Sequence, residues 1–230
     1  MKLVFVIIMS ALLLISCAKQ LGKEATMKDI QLETDDEKKI VGTFYEGGSE
    51  GIILLHMMDR TRNDWRDFAL KLQNLNYSVI AVDFRGHGES EGSWKDFSEE
   101  DFQAMDLDVE AAFRYLEQNN ITNITIIGAS IGANIALRYA VEHGIGKVVL
   151  LSPGLDFQGI DTEEPAKVFE GKILIAASKE DKYSFDSSRE IYSLIKSNQK
   201  SLKIYENAGH GTKMLDNTDL STVILDWLKA

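Results

Sequence analysis

The chain has 230 residues, 44% hydrophobic and 27% charged, with 17 Gly and 2 Pro, which excludes collagen-like, coiled-coil and broadly disordered proteins and fits one domain. A formal charge of −11 repels phosphate backbones and argues against nucleic acid as a partner. With one cysteine, Cys17, neither an intramolecular disulfide nor a Cys-based zinc site within the chain is possible.

Residues 1–16 read MKLVFVIIMSALLLIS. Lys2 gives a short positive start, and residues 3–15 are apolar except for Ser10. The run is short of the roughly 20 residues of a membrane-spanning helix but fits the apolar region of a signal peptide. A buried terminal strand or helix is the competing reading. It is disfavoured because the run has no polar face and would invite aggregation. The end of the run, Leu14-Ile15-Ser16-Cys17, resembles the lipobox of bacterial lipoproteins. The resemblance implies a signal peptide over residues 1–16 and a mature chain lipidated at Cys17. Such a protein would sit in the cell envelope, held firmly to a membrane by more than one acyl chain. Residues 18–28 are polar and lack periodicity, so 17–28 reads as a tether and 29–230 as the folded domain.

From residue 30 onward strand-like and helix-like segments alternate. Residues 30–34 and 40–46 flank the polar cluster 35–39 and predict a hairpin. Residues 51–56 (GIILLH) and 78–84 (SVIAVDF) are continuous apolar runs, as in strands covered on both faces. Between them, Trp65, Phe68, Leu72 and Leu75 predict a helix over 63–75. A second helix is expected over 98–119. Ser98 and Asp101 stand at capping-box spacing, and Phe102, Met105, Val109, Ala112, Phe113 and Leu116 form its apolar stripe. Strands are expected over 124–128, 147–151, 172–177 and 202–205, and helices over 131–143, 187–196 and 218–229. A hairpin followed by repeated β-α-β units predicts a mostly parallel sheet with helices on both faces. Ligands of such sheets bind beyond the carboxyl ends of the strands, so functional residues should directly follow strands.

Gly128-Ala129-Ser130-Ile131-Gly132 is a G-x-S-x-G pentapeptide between a predicted strand and a predicted helix. A turn that tight needs small flanking residues, and it lifts the hydroxyl above the sheet edge beside helix N–H groups. Ser130 is the candidate nucleophile; an ordinary cap serine is the alternative. A serine nucleophile needs a base, and there are four histidines. His143 ends a helix and suits its C-terminal dipole. His56 and His87 have structural readings. His210, in the glycine-flanked loop Asn207-Ala208-Gly209-His210-Gly211 after the last strand, is the candidate base. Asp181 follows the 172–177 strand and is the chosen orienting acid, with Glu180 its close competitor.

The order Ser130, Asp181, His210, each after its own strand, resembles the α/β-hydrolases over most of the chain beyond residue 30. Two more segments match. The segment from Asp83 to Ser90 (DFRGHGES) is similar to the family's D-x-R-G-H-G-x-S turn, in which Asp83 and Arg85 would pin the loop. Leu54-Leu55-His56 is similar to the strand leading into the family's His-Gly oxyanion segment. Here Met57-Met58 replaces the usual glycine, which puts that loop's geometry in question. The resemblance implies an oxyanion hole from the backbone amides of Met58 and Ile131, and acyl transfer to water without a cofactor or metal. The substrate would be a small molecule with an acyl group, by default a carboxylic ester, with a thioester or peptide bond as alternatives. Residues 152–171 are too few for a multi-helix lid, so the site should be open, with Trp94, Phe157 and Tyr183 in loops at its border. A hydrolase fold used only for binding is the competing function. A metal-dependent hydrolase is a weaker one, since H-E-x-x-H is absent.

Overall fold

The computed structural model describes residues 26–230. The predicted leader, Cys17 and most of the tether lie outside the described residues. Strands β1 (Met27–Glu33) and β2 (Lys39–Tyr45) form the predicted antiparallel hairpin. β1 begins inside the segment read as a tether because Met27 and Lys28 pair with Tyr45 and Phe44. Its side chains are mostly exposed, so no apolar alternation marks its start.

The chain continues through β3 (Glu50–Leu55), α1 (Arg66–Asn74), β4 (Tyr77–Val82), α2 (Glu99–Gln103) and α3 (Asp106–Gln118). It then forms β5 (Asn123–Ala129), α4 (Ile131–His143), β6 (Lys147–Leu151), a small hairpin of β7 (Asp156–Phe157) and β8 (Ile160–Asp161), and α5 (Glu163–Val168). β9 (Lys172–Ser178), α6 (Lys182–Leu194), β10 (Lys200–Tyr205), α7 (Lys213–Asn217) and α8 (Leu220–Lys229) complete it. Eight strands make one sheet in the order β1-β2-β4-β3-β5-β6-β9-β10, parallel from β4 to β10.

Alternate residues of each central strand enter opposite cores. Ile53 and Leu55 join the side chains of α3, α4 and α6, while Ile52 and Leu54 join those of α1, α7 and α8. That double burial is why β3 reads as an unbroken apolar run. The strand order reverses between β3 and β5, which opens a crevice beyond their carboxyl ends.

Four helix expectations are corrected. The helix predicted over 98–119 is broken at Ala104–Met105, where the amides of Leu107 and Asp108 turn to i−3 carbonyls. The break lets Phe102 and Met105 both stay in the core while Asp108 reaches Arg85. Its Ser98–Asp101 capping box is present. The helix predicted over 63–75 starts as a 3-10 turn, and Leu75 caps it exposed rather than buried. The 218–229 helix is preceded by the separate α7 and starts at Leu220. The 187–196 helix begins five residues earlier, at Lys182, so Tyr183 lies in its first turn and not in a loop.

Candidate active site

Ser130 joins β5 to α4 at φ 54° and ψ −123°, a backbone state that side chains other than glycine rarely adopt. Both flanking glycines are sterically required. A Cβ on Gly128 would lie 2.0 Å from the Gly132 carbonyl oxygen, and one on Gly132 2.6 Å from that of Leu55. The Ser130 amide donates to the Leu151 carbonyl (2.8 Å), which ties the turn to β6.

Asp181 directly precedes α6, and its Oδ2 lies 2.5 Å from His210 Nδ1. Burial pushes the Asp181 carboxyl up. His210 and the hydroxyls of Ser184 and Ser152 outweigh it and hold the group below its usual range. Ser130 and His210 line one cleft of about 470 Å³, together with Asp181, Met57, Met58 and Ile131. The Ser130 hydroxyl makes no hydrogen bond to His210 in this state, and in ligand-free sites that contact is commonly long.

Glu180 has a different position and task. One oxygen accepts the Asn207 amide (2.7 Å) and the Ser178 hydroxyl (2.5 Å), and the other accepts the Gly209 amide (2.7 Å). The Ser178 hydroxyl bond, with the backbone amides, holds its carboxyl down at about 2. Ser178 Oγ also accepts the Ala208 amide (2.9 Å). Glu180 therefore staples the loop that carries His210, and Asp181 is the carboxylate on the imidazole.

The two expected oxyanion donors, Met58 and Ile131, both line the cleft, and neither amide has an acceptor among the described residues. His56 is fully buried. Its Nδ1 lies 2.6 Å from the Met57 carbonyl oxygen, and its Nε2 accepts the Phe84 amide at 3.0 Å. Burial lowers it to about 3, so the ring is neutral and Nδ1 carries the proton. The Met57 carbonyl and the Met58 N–H belong to one planar peptide. Holding the first therefore orients the second. His56 thus does structural work that a glycine after it would not change.

Asp83 and Arg85 both pin the DFRGHGES turn, with different partners. Asp83 pairs with the buried Arg62 and accepts the Glu89 amide (3.0 Å). Arg85 bridges Asp36 (2.7 Å) and the buried Asp108 (2.9 Å). His87 is buried against His56 and stacks on Trp94. Trp94 does not line the cleft, which corrects its expected place; Phe157 and Tyr183 do. His143 ends α4, stacks on Tyr139 and lies 3.6 Å from Glu110.

Three contributors escaped sequence reading: Ser152, Ser178 and Asn134. Asn134 Oδ1 accepts the Gly154 amide (2.9 Å) and its Nδ2 donates to the Ile160 carbonyl (3.0 Å), which clips the β7–β8 hairpin beside the cleft. Ser152 directly follows β6, so the strand-end rule had marked its position.

Residues 51–170 match the family model described as the alpha/beta hydrolase fold. The chain belongs to the α/β-hydrolase family. Among its relatives, the AB hydrolase superfamily protein YisY of Bacillus subtilis is 30% identical over 109 residues, 46% of this chain and 38% of that protein. A probable alcohol acetyltransferase of Cyberlindnera fabianii is 30% identical over 95 residues, 41% of this chain and 24% of that protein. The match to each thus spans well under half of the relative's length. The Pyrococcus furiosus esterase Pf2001 has the same fold, with a TM-score of 0.75, 20% identity, and 89% of this chain and 91% of that one covered. A dienelactone hydrolase of Anabaena variabilis superposes at TM-score 0.74 with 16% identity, covering 90% of this chain and 98% of that one. Among the described residues no helix is long and apolar enough to cross a membrane.

Proposed function

We propose that this α/β-hydrolase is a serine hydrolase that cleaves a small carboxylic ester through an acyl-enzyme. The reading is carried by the 2.5 Å contact between Asp181 and His210 in the cleft that Ser130 lines. With Nδ1–H held by Asp181, the Nε2 lone pair of His210 is available to take a proton. Ser130 Oγ attacks the carbonyl carbon as its proton passes to Nε2. The oxyanion that forms accepts the Met58 and Ile131 amides, each worth on the order of 3 kcal/mol to the transition state. The alcohol leaves with the proton from His210. Water then attacks the acyl-Ser130 ester, with His210 again as base, and releases the acid and the free serine.

A fluorophosphonate probe tests the reading, together with p-nitrophenyl esters, thioesters and aminoacyl anilides on wild type and Ser130→Ala. Ser130 should be labelled in the folded protein, and Ser130→Ala should lose on the order of 10⁶-fold in kcat. An unlabelled, inactive wild type would favour the binding-only reading.

We propose in addition that Cys17 carries a lipid anchor that holds the enzyme at a cell-envelope membrane, as the apolar run and the Leu-Ile-Ser-Cys end suggest. Cys17→Ser should shift the protein from the membrane fraction to the soluble fraction.

A further inference from the structure

Ser152 stands at the end of β6 with φ 52°, and its hydroxyl is buried, not turned to solvent. Its amide donates to the Ala176 carbonyl (2.8 Å), which locks the strained residue between β6 and β9. Its Oγ accepts the amide of Gly211 at 2.9 Å, one residue past His210. An acceptor hydroxyl still has its own proton to give. Asp181 lines the same cleft, and the hydroxyls of Ser152 and Ser184 help to hold its carboxyl below the usual range. A left-handed backbone state is costly for serine, and glycine would adopt it freely. The strain is therefore consistent with a side chain that has work to do there.

We propose that Ser152 is a positioning residue: its hydroxyl oxygen anchors the Gly211 end of the histidine loop, and with it the imidazole, to the end of β6. The loop is then held from both sides. Glu180 and Ser178 grip residues 207–209, and Ser152 grips residue 211. With both ends fixed, the imidazole keeps its place opposite Ser130 while it gains and loses a proton. The inference rests on the proposed Ser130-His210-Asp181 mechanism. The other charged groups near the pair are Glu180, Lys213 of α7, and Asp59 and Arg60 on the loop after β3.

The test uses Ser152→Gly and Ser152→Ala in the full chain. Glycine relieves the left-handed backbone, which offsets part of the cost of leaving the buried Gly211 amide unpaired, so Ser152→Gly should stay folded with a thermal midpoint close to that of wild type. Both variants should show about tenfold slower fluorophosphonate labelling of Ser130, and about tenfold lower kcat on p-nitrophenyl butyrate with KM within twofold. The acid limb of the pH–rate profile should move to higher pH, because Asp181, free of a competing donor, binds the imidazolium more strongly. A stable Ser152→Gly with wild-type labelling rate and pH profile overturns the proposal. If Ser130→Ala is as active as wild type, the parent mechanism fails instead, so the two failures are distinguishable.

Discussion

Adjacent carboxylates with unlike tasks are the plainest result at the scale of single residues. Glu180 and Asp181 are neighbours in sequence, yet one staples backbone amides and the other holds an imidazole. Asp181→Asn should lower kcat by about 10³–10⁴-fold, because an amide neither fixes the productive tautomer nor stabilises the imidazolium. Glu180→Gln should cost only about tenfold, because it loosens the loop without altering the imidazole's partner. Steady-state kinetics on the two variants separates the roles. His56 gives a pH prediction. Its folded value of about 3 lies below the ordinary 6.5, so the unfolded chain binds the extra proton first as pH falls. Its contribution to stability is complete above pH 6.5 and declines toward pH 3, by about 2 kcal/mol between pH 6.5 and pH 5. Asp108, which burial pushes up to about 7, works in the opposite sense over the same range but equally in both proteins, so the check is the difference: the gap in urea-unfolding stability between wild type and His56→Asn should shift against wild type as pH falls from 6.5 to 5.

Individual elements take their places through buried charge as well as apolar stripes. Arg85 is buried, and it ties the DFRGHGES turn to α3 through Asp108 and to the β1–β2 hairpin through Asp36. Removing one member of such a group leaves a charge without its partner inside the protein. Asp108→Ala should therefore destabilise the fold by about 3 kcal/mol in denaturant unfolding, whereas Asp35→Ala, in an exposed pair with Arg114, should cost under about 1 kcal/mol. The α2–α3 break shows where sequence periodicity fails. The stripe from Phe102 to Leu116 matches one helix, and the pull of Arg85 on Asp108 is a contact 23 residues distant that no local pattern carries. Likewise α6 begins at Lys182 because its first turn faces the cleft and the β7–β8 hairpin. Tyr183 spans that gap, with its hydroxyl 2.5 Å from the Asp156 carbonyl oxygen.

For the whole molecule, the sheet's reversal between β3 and β5 matters most, because it sets the Met57–Met58 loop beside Ser130. The segment between β6 and β9 adds only a two-stranded hairpin and one short helix, so the cleft keeps an open side. At about 470 Å³ it is in the range of small-molecule sites. We expect kcat/KM for p-nitrophenyl butyrate to exceed that for the palmitate ester by at least about tenfold. A flat chain-length profile would show that the hairpin does not bound the acyl group.

The sequence by itself determined the layered architecture. Strands buried on both faces must be continuously apolar, and helices between them must carry stripes, and both patterns are local. It also marked the Ser130 turn, through Gly128 and Gly132 between a strand-like run and a helical pattern. Only the tertiary structure decided between Glu180 and Asp181, gave His56 its hold on the Met57–Met58 peptide, and brought Ser152 to Gly211. Those outcomes depend on which backbone amide meets which side chain across 27 to 59 residues of sequence, and short-range spacing holds no information about such meetings.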